Sequence, residues 1–259
     1  MKIDLTGKNA LIGGSSKGIG LGIATELANS GASVCLMARN ETKLKEIVDQ
    51  LPNTENHSYL VVDFSKFEEY KIKIEEYIKN NQVDILVNNT QGPSAGNSLS
   101  KNIDSYQEAF DLLFKSVVHT TSLVIPHMQK NKWGRIINVT SVSVKEPLNY
   151  LVLSNSIRSA VVAWAKSLSV DVGKDGITIN SILTGYFDTE RIKELNKEKS
   201  KSLNISENEV LEKMKSLVPI NRLGKPEEYG YLVSFLSSDK ASYINGASIP
   251  IDGGLLKSY

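Results

Sequence analysis

Short apolar runs alternate with longer amphipathic ones along nearly the whole chain, and this alternation restricts the fold more than any other feature. Seven runs read as strands: Asn9–Gly13, Ser33–Ala38, Tyr59–Val62, Asp84–Asn88, Arg135–Thr140, Thr178–Leu183 and Ala247–Ile251. Within them apolar residues are consecutive, as in Ile85-Leu86-Val87 and Ile136-Ile137. A strand wetted on one face alternates apolar with polar, whereas a strand covered on both faces does not. The intervening segments carry the helical period: Ile19, Ile23 and Leu27 share one face, as do Ile157, Val161, Trp164 and Leu168. Gly31 stands where a left-handed cap closes the first helix. Pro226-Glu227-Glu228 opens a late helix, with proline in the first turn and acids at the positive end of its dipole. The pattern predicts an α/β chain with a parallel sheet.

With 259 residues, no linker and no internal repeat, the chain is expected to form one domain over 1–259. An apolar fraction of 41% excludes a disordered chain. Thirty basic residues against twenty-nine acidic ones leave no electrostatic basis for a nucleic-acid or membrane partner. The N-terminal Met1-Lys2-Ile3-Asp4-Leu5 lacks the apolar core of a signal peptide, and no stretch reaches membrane-span length, so a cytoplasmic location is expected. The single cysteine, Cys35, sits in an apolar run and reads as a small buried hydrophobe. No Cys/His/Asp cluster has metal-ligand spacing.

The most informative local segment is Leu11-Ile12-Gly13-Gly14-Ser15-Ser16-Lys17-Gly18-Ile19-Gly20. It runs from an apolar strand into a helix, with glycines that permit a tight turn and close backbone approach to a pyrophosphate. Free N–H groups at the helix start then face the phosphates. The spacing is G-x-x-x-G-x-G, not the commoner G-x-G-x-x-G.

In this spacing the chain resembles the short-chain dehydrogenase/reductase family, whose motif is T-G-x-x-x-G-I-G. Further landmarks follow in order: Asp63, Asn88-Asn89, Gly134 to Asn138 before Thr140-Ser141, Asn180, Gly185, Thr189, Arg222 to Glu228, and Asp252-Gly253-Gly254. The resemblance covers essentially the whole chain and extends to 3-oxoacyl-acyl-carrier-protein reductases. It implies a Rossmann-type doubly wound parallel sheet of seven strands flanked by helices, in a homodimer or homotetramer. It also implies a cofactor site made by Gly14, Ser16, Lys17, Gly18, Ile19 and Gly20, with Asp63 and the backbone of Phe64 at the adenine. Asn89 would line the adenine ribose, and Thr189 would approach the nicotinamide carboxamide. Two departures stand out: Gly13 replaces the family threonine, and Thr90-Gln91-Gly92 replaces the alanine–glycine of N-N-A-G.

The cofactor expected is NADP rather than NAD. An NAD site carries an acid at the end of the second strand for the ribose 2′-hydroxyl. Here Ala38 is followed by Arg39, and Lys17 lies in the glycine loop, a pair of cations suited to a 2′-phosphate.

The catalytic positions depart further. The family's Asn–Ser–Tyr–Lys set falls on Leu113, Ser141, Ser154 and Arg158, so only the serine matches. A serine hydroxyl titrates far above a phenol and is a poor proton donor. Arg158 keeps a charge able to hold the nicotinamide ribose but cannot relay a proton. Tyr150, one turn before Ser154, and Tyr186 are substitutes to be weighed against ordinary packing roles. His119 and His127 read as structural, and Lys145 as a solvated loop charge. Ser141, Ser154 and Ser156 have no nearby histidine or acid, so hydrolase chemistry is not expected.

Glu190 to Leu217 is rich in Lys, Glu, Asn and Ser, and reads either as a solvated helical excursion or as a lid over a substrate pocket. Two functions stay open. One is an NADP-linked oxidoreductase of the short-chain type, reducing a small carbonyl compound or oxidising an alcohol. The other is a non-catalytic NADP-binding sensor, or the inactive partner subunit of an active paralogue. Pro93–Ser105, Lys145–Leu153 and Glu190–Leu217 carry no pattern that selects a substrate.

Overall fold

The computed structural model describes residues 2–52 and 56–258; Met1 and Tyr259, the ends of the expected domain, lie outside these. Seven strands form one parallel sheet in the order β3-β2-β1-β4-β5-β6-β7. They are β1 Asn9–Gly13, β2 Ser33–Ala38, β3 Ser58–Val61, β4 Ile85–Asn88, β5 Gly134–Val139, β6 Ile177–Thr184 and β7 Ser248–Ile251. All seven expected strands are present. Five differ from expectation by one residue at one or both ends, where ladder bonds give way to turns.

The consecutive apolar runs have a direct explanation in the period of two. In β1, Ala10 and Ile12 enter one core while Leu11 enters the other; in β2, Val34, Leu36 and Ala38 oppose Cys35 and Met37. Ile85 and Val87 of β4 likewise oppose Leu86. One core is closed by α1 (Gly18–Asn29), α2 (Glu41–Val48) and α9 (Pro226–Leu236). The other is closed by α3 (Phe67–Asn80), α5 (Ser116–Asn131) and α6 (Val152–Val172). Ile23 and Leu27 are fully buried under the first core, and Ile157, Trp164 and Leu168 pack against the second. Cys35 is buried and unbridged.

The helix ends follow the local sequence. Gly31 adopts φ +94° just past α1. Pro226 occupies the first turn of α9, and the Glu228 carboxylate reaches back to the Lys225 N–H at 2.8 Å. The remaining helices are α4 (Ile103–Phe110), α7 (Glu190–Leu203) and α8 (Glu207–Ser216). A π-turn, Asp111–Lys115, joins α4 to α5. His127 meets Asp84 at 3.1 Å beneath the sheet, consistent with a structural role. No helix among the described residues is long and apolar enough to cross a membrane.

Candidate cofactor and active site

The strand order reverses direction between β1 and β4. In an open parallel sheet that reversal leaves a crevice beyond the carboxyl ends of the strands. A cleft of about 740 Å³ lies there, lined by residues that end or follow β1 through β6.

The glycine loop forms its floor. Gly18 begins α1 with φ +55°, a conformation that disfavours a side chain. A Cβ on Gly20 would lie 2.2 Å from the Gly14 carbonyl oxygen. Ser15, completely buried, ties the loop to β2: its hydroxyl donates to the Ile12 carbonyl and accepts from the Met37 N–H, each at 3.0 Å. Lys17 occupies the N-cap without a side-chain capping bond, so the first N–H groups of α1 are open to the cleft. Sequence reasoning did not assign Ser15 this tie, since Met37 belongs to a strand twenty-two residues away.

The first departure is explained at Asn89, the residue that precedes the second. A Cβ at Gly13 would stand 2.2 Å from the Asn89 carbonyl oxygen, and the Asn89 amide donates to the Gly13 carbonyl at 2.9 Å. The chain after β4 therefore runs so close to β1 at Asn89 that only glycine fits at position 13.

Of the residues expected at the cofactor, Gly14, Ser16, Lys17, Gly18, Ile19, Gly20, Arg39, Phe64, Asn89, Arg158 and Thr189 all line the cleft. Asp63 does not, although its neighbours Val62 and Phe64 do. Its Oδ1 accepts from the Ser65 N–H at 3.0 Å and the Ser65 hydroxyl at 2.6 Å. Partial burial pushes its pKa up, but these bonds and the charge of Arg39 outweigh that and leave it below the ordinary carboxylate value. Asn40, Lys43 and Arg191 also line the cleft. Lys43 could have been found by its place four residues after Arg39; Arg191 had no signal beyond following Thr189.

Lys17 forms an ion pair with Glu190 at the start of α7, so the polar segment reaches across the cleft to the glycine loop. Both side chains are more than half exposed, and such a pair contributes little to stability. Ile192 and Glu194 continue the same wall. Further along α7, Lys199 lies 5.4 Å from the centre of the Tyr150 ring.

The expected catalytic residues are only partly brought together. Arg158 lines the cleft, and its guanidinium donates to the Val139 carbonyl. Ser141 and Ser154 are not among the lining residues. Ser141 accepts the Ser143 N–H at 3.1 Å as the cap of a short 3₁₀ turn, and Ser154 is buried one turn before Arg158 on α6. Leu113 is buried in the second core at the centre of the π-turn. Tyr150 precedes α6, which starts at Val152, so it lies outside the helix. Its hydroxyl interacts with that of Tyr186, and burial first, then this mutual contact for Tyr150, drives both phenols above their ordinary range. Both tyrosines are thereby weaker proton donors than a free phenol.

A glycine-bridged helix start at a sheet's switch point, opening on a cleft of this size, defines a dinucleotide-binding α/β protein. The chain is a member of the short-chain dehydrogenase/reductase family of oxidoreductases. The family model described as enoyl-(acyl carrier protein) reductase matches residues 14–256. The chain is 33% identical over 257 residues to oxidoreductase UcpA of Salmonella typhimurium, covering 96% of this chain and 95% of that one. It is 31% identical over 258 residues to the 3-oxoacyl-[acyl-carrier-protein] reductase FabG of Chlamydia pneumoniae, covering 98% and 99%. Among solved structures, L-sorbose reductase from Gluconobacter frateurii, complexed with NADPH and L-sorbose, superposes with a TM-score of 0.92 at 30% identity over all of both chains. YwfH, an NADPH-dependent reductase of bacilysin biosynthesis, superposes with a TM-score of 0.90 at 26% identity, covering 97% and 99%.

Proposed function

We propose that this oxidoreductase binds NADPH in preference to NADH and reduces a small carbonyl compound, or oxidises the corresponding alcohol, with weakened acid catalysis. The observation that carries the cofactor preference is the end of β2. Ala38, Arg39, Asn40 and Lys43 line the cleft there, and no acid stands at the end of that strand. Two cations at this position suit a 2′-phosphate and offer nothing that accepts a hydrogen bond from a 2′-hydroxyl. The bound cofactor would supply hydride. Gly14 to Gly20 would cradle its pyrophosphate, Val62 and Phe64 would border the adenine with Asp63 behind them, Asn89 would line the adenine ribose, and Thr189 would meet the carboxamide.

Arg158 would hold the nicotinamide end by charge and hydrogen bonding. Ser141 and Ser154 would orient the substrate oxygen, and the proton would come from a serine hydroxyl or from water, since the Tyr150–Tyr186 pair is poorly acidic. Loss of a tuned acid slows such a step by about 10² to 10⁴. Residues 190–217 would act as the roof, with the Lys17–Glu190 pair readily opened for entry. An exposed apolar face on α4 and α6 (Ile103, Phe110, Val170, with Ala160 and Ala163) supports assembly into a homodimer or homotetramer, which sedimentation would test.

The deciding measurement is titration with NADPH and NADH by nicotinamide fluorescence. NADPH should bind at least about tenfold more tightly, and Arg39→Ala should erase most of that margin. Equal affinity for both would refute the preference. Tight NADPH binding without turnover across a broad carbonyl panel would instead identify a non-catalytic NADP-binding protein.

A further inference from the structure

The acids and cations that line the cleft are unequally matched. Glu190 is taken by Lys17, and Glu194 lies 3.7 Å from Arg191. Arg191 also donates to the Pro93 carbonyl at 2.8 Å. Arg158 has no such counter-charge: among the described residues no carboxylate lies within ion-pair distance of it, and its one hydrogen bond goes to the neutral Val139 carbonyl. The other polar groups around it are neutral and engaged. Thr140 donates to the Ile182 carbonyl at 2.9 Å, and the Thr184 hydroxyl meets that of Tyr229 at 3.0 Å. Arg191, although matched by Glu194, still adds a repulsive positive charge near Arg158. Desolvation, partly offset by the neighbouring Tyr229 phenol and reinforced by Arg191, brings the Arg158 pKa down to about 10, still well above neutrality, so the charge persists. The position four residues earlier, where an ionisable phenol would offer compensating negative charge, is Ser154.

We propose that Arg158 makes this site discriminate between the two oxidation states of a bound nicotinamide dinucleotide, holding the neutral reduced ring more tightly than the cationic oxidised one. The inference rests on the reading that the cleft takes such a dinucleotide, with its nicotinamide at the ends of β5 and β6. The two forms of the ligand share every phosphate and hydroxyl and differ in one positive charge on the ring. An uncompensated guanidinium beside that ring penalises the oxidised form alone. At separations of several ångströms and an effective dielectric near 20, the penalty is roughly one to two powers of ten in affinity. By linkage, each tenfold preference for the reduced form raises the potential of the bound couple by about 30 mV.

The test is direct titration of the protein with NADPH and NADP⁺ by calorimetry, without substrate, in the wild type and three variants. The wild type should bind NADPH about ten- to fiftyfold more tightly than NADP⁺. Arg158→Met should bring the two affinities within about threefold, chiefly by strengthening NADP⁺. Arg158→Lys should keep the discrimination. Ser154→Glu, which places a carboxylate one turn away on the same face of α6, should collapse it with the arginine in place. Should Arg158→Met fail to fold, the Ser154→Glu arm decides. Equal affinities in the wild type, or a ratio that neither neutralising change moves, would overturn the role of Arg158 while leaving the cofactor site intact. Failure of both dinucleotides to bind the wild type would sink the cofactor reading itself.

Discussion

Position 13 separates a family-based expectation from a structural one with opposite signs. The family carries threonine there, so reasoning by resemblance would treat Gly13→Thr as a stabilising return to type, aided by the lower conformational entropy of the unfolded chain. The structure forbids it. The new Cβ would stand 2.2 Å from the Asn89 carbonyl oxygen, about an ångström inside any tolerable contact, and the obstacle is backbone rather than a flexible side chain. Relief requires Asn89 to retreat, which also breaks the 2.9 Å bond from its amide to the Gly13 carbonyl.

Overpacking of this kind costs about 1–3 kcal/mol, and the lost hydrogen bond adds roughly 1 kcal/mol. A destabilisation of about 2–4 kcal/mol corresponds to a fall in Tm of about 5–15 °C for a chain of this size. Thermal unfolding monitored by circular dichroism reads it directly. The same substitution should weaken NADPH binding, because Asn89 lines the cleft. Combining it with Thr90→Ala and Gln91→Gly, which restores the family's own segment after β4, should recover much of the loss. A Gly13→Thr variant that melts at or above the wild-type temperature would refute the claim that Asn89 leaves room only for glycine at position 13.

Arg135 is almost wholly buried and donates to the carbonyls of Gly134 at 2.8 Å and Gly176 at 3.1 Å while its guanidinium stacks 4.4 Å from Trp133. Arg135→Met should therefore destabilise by about 2–4 kcal/mol in chemical denaturation, although the residue lies far from the cleft. Glu228 is hydrogen-bonded by Arg222 at 2.6 and 2.7 Å and by the Lys225 N–H, which brings its pKa down to about 2. Because the folded value is depressed, its stabilisation is fully present above the unfolded carboxylate range near 4.5 and is lost as pH falls toward 2. Glu228→Gln should cost roughly 1 kcal/mol at pH 7, allowing for solvent around the pair, and the gap to wild type should close between those limits. Ser154→Tyr with Arg158→Lys should raise NADPH-dependent reduction of a broad ketone panel by at least about tenfold. Leu113 is better left alone in that experiment, since asparagine there would bury an amide in the second core.

Most of the fold was legible because its two strongest signals are local. Consecutive apolar residues in β1, β2 and β4 point alternately into two cores, so the absence of alternation reports helices on both faces before any contact is known. Gly31 and Pro226 mark helix ends by backbone preferences that hold without tertiary context. What the sequence withheld at this level was small: a residue at some strand ends, and the π-turn at Asp111–Lys115, whose extra residue leaves no trace in an apolar period that continues through it.

The site divides by the same principle. The glycine loop was readable because Gly14 and Gly18 answer the positive φ of their own backbone and Gly20 the carbonyl of Gly14, and Arg39 because it directly follows a strand. The contacts that decide the chemistry are not local in that sense. Lys17 meets Glu190 across 173 residues, Tyr150 meets Tyr186 beyond α6 and β6, and Gly13 is explained by Asn89. Tyr150 shows the consequence most clearly. Read along the chain it lies one turn before Ser154, in place to replace the lost phenol, but α6 begins only at Val152, and the half-buried ring turns instead to Tyr186, a contact that adds to burial in raising the Tyr150 pKa. A catalytic tyrosine depends on a neighbour that lowers its pKa, and here the neighbour supplied raises it. The missing acid was therefore visible in the sequence as an absent residue. That Tyr150 stands off α6 and against Tyr186 follows only from the three-dimensional structure.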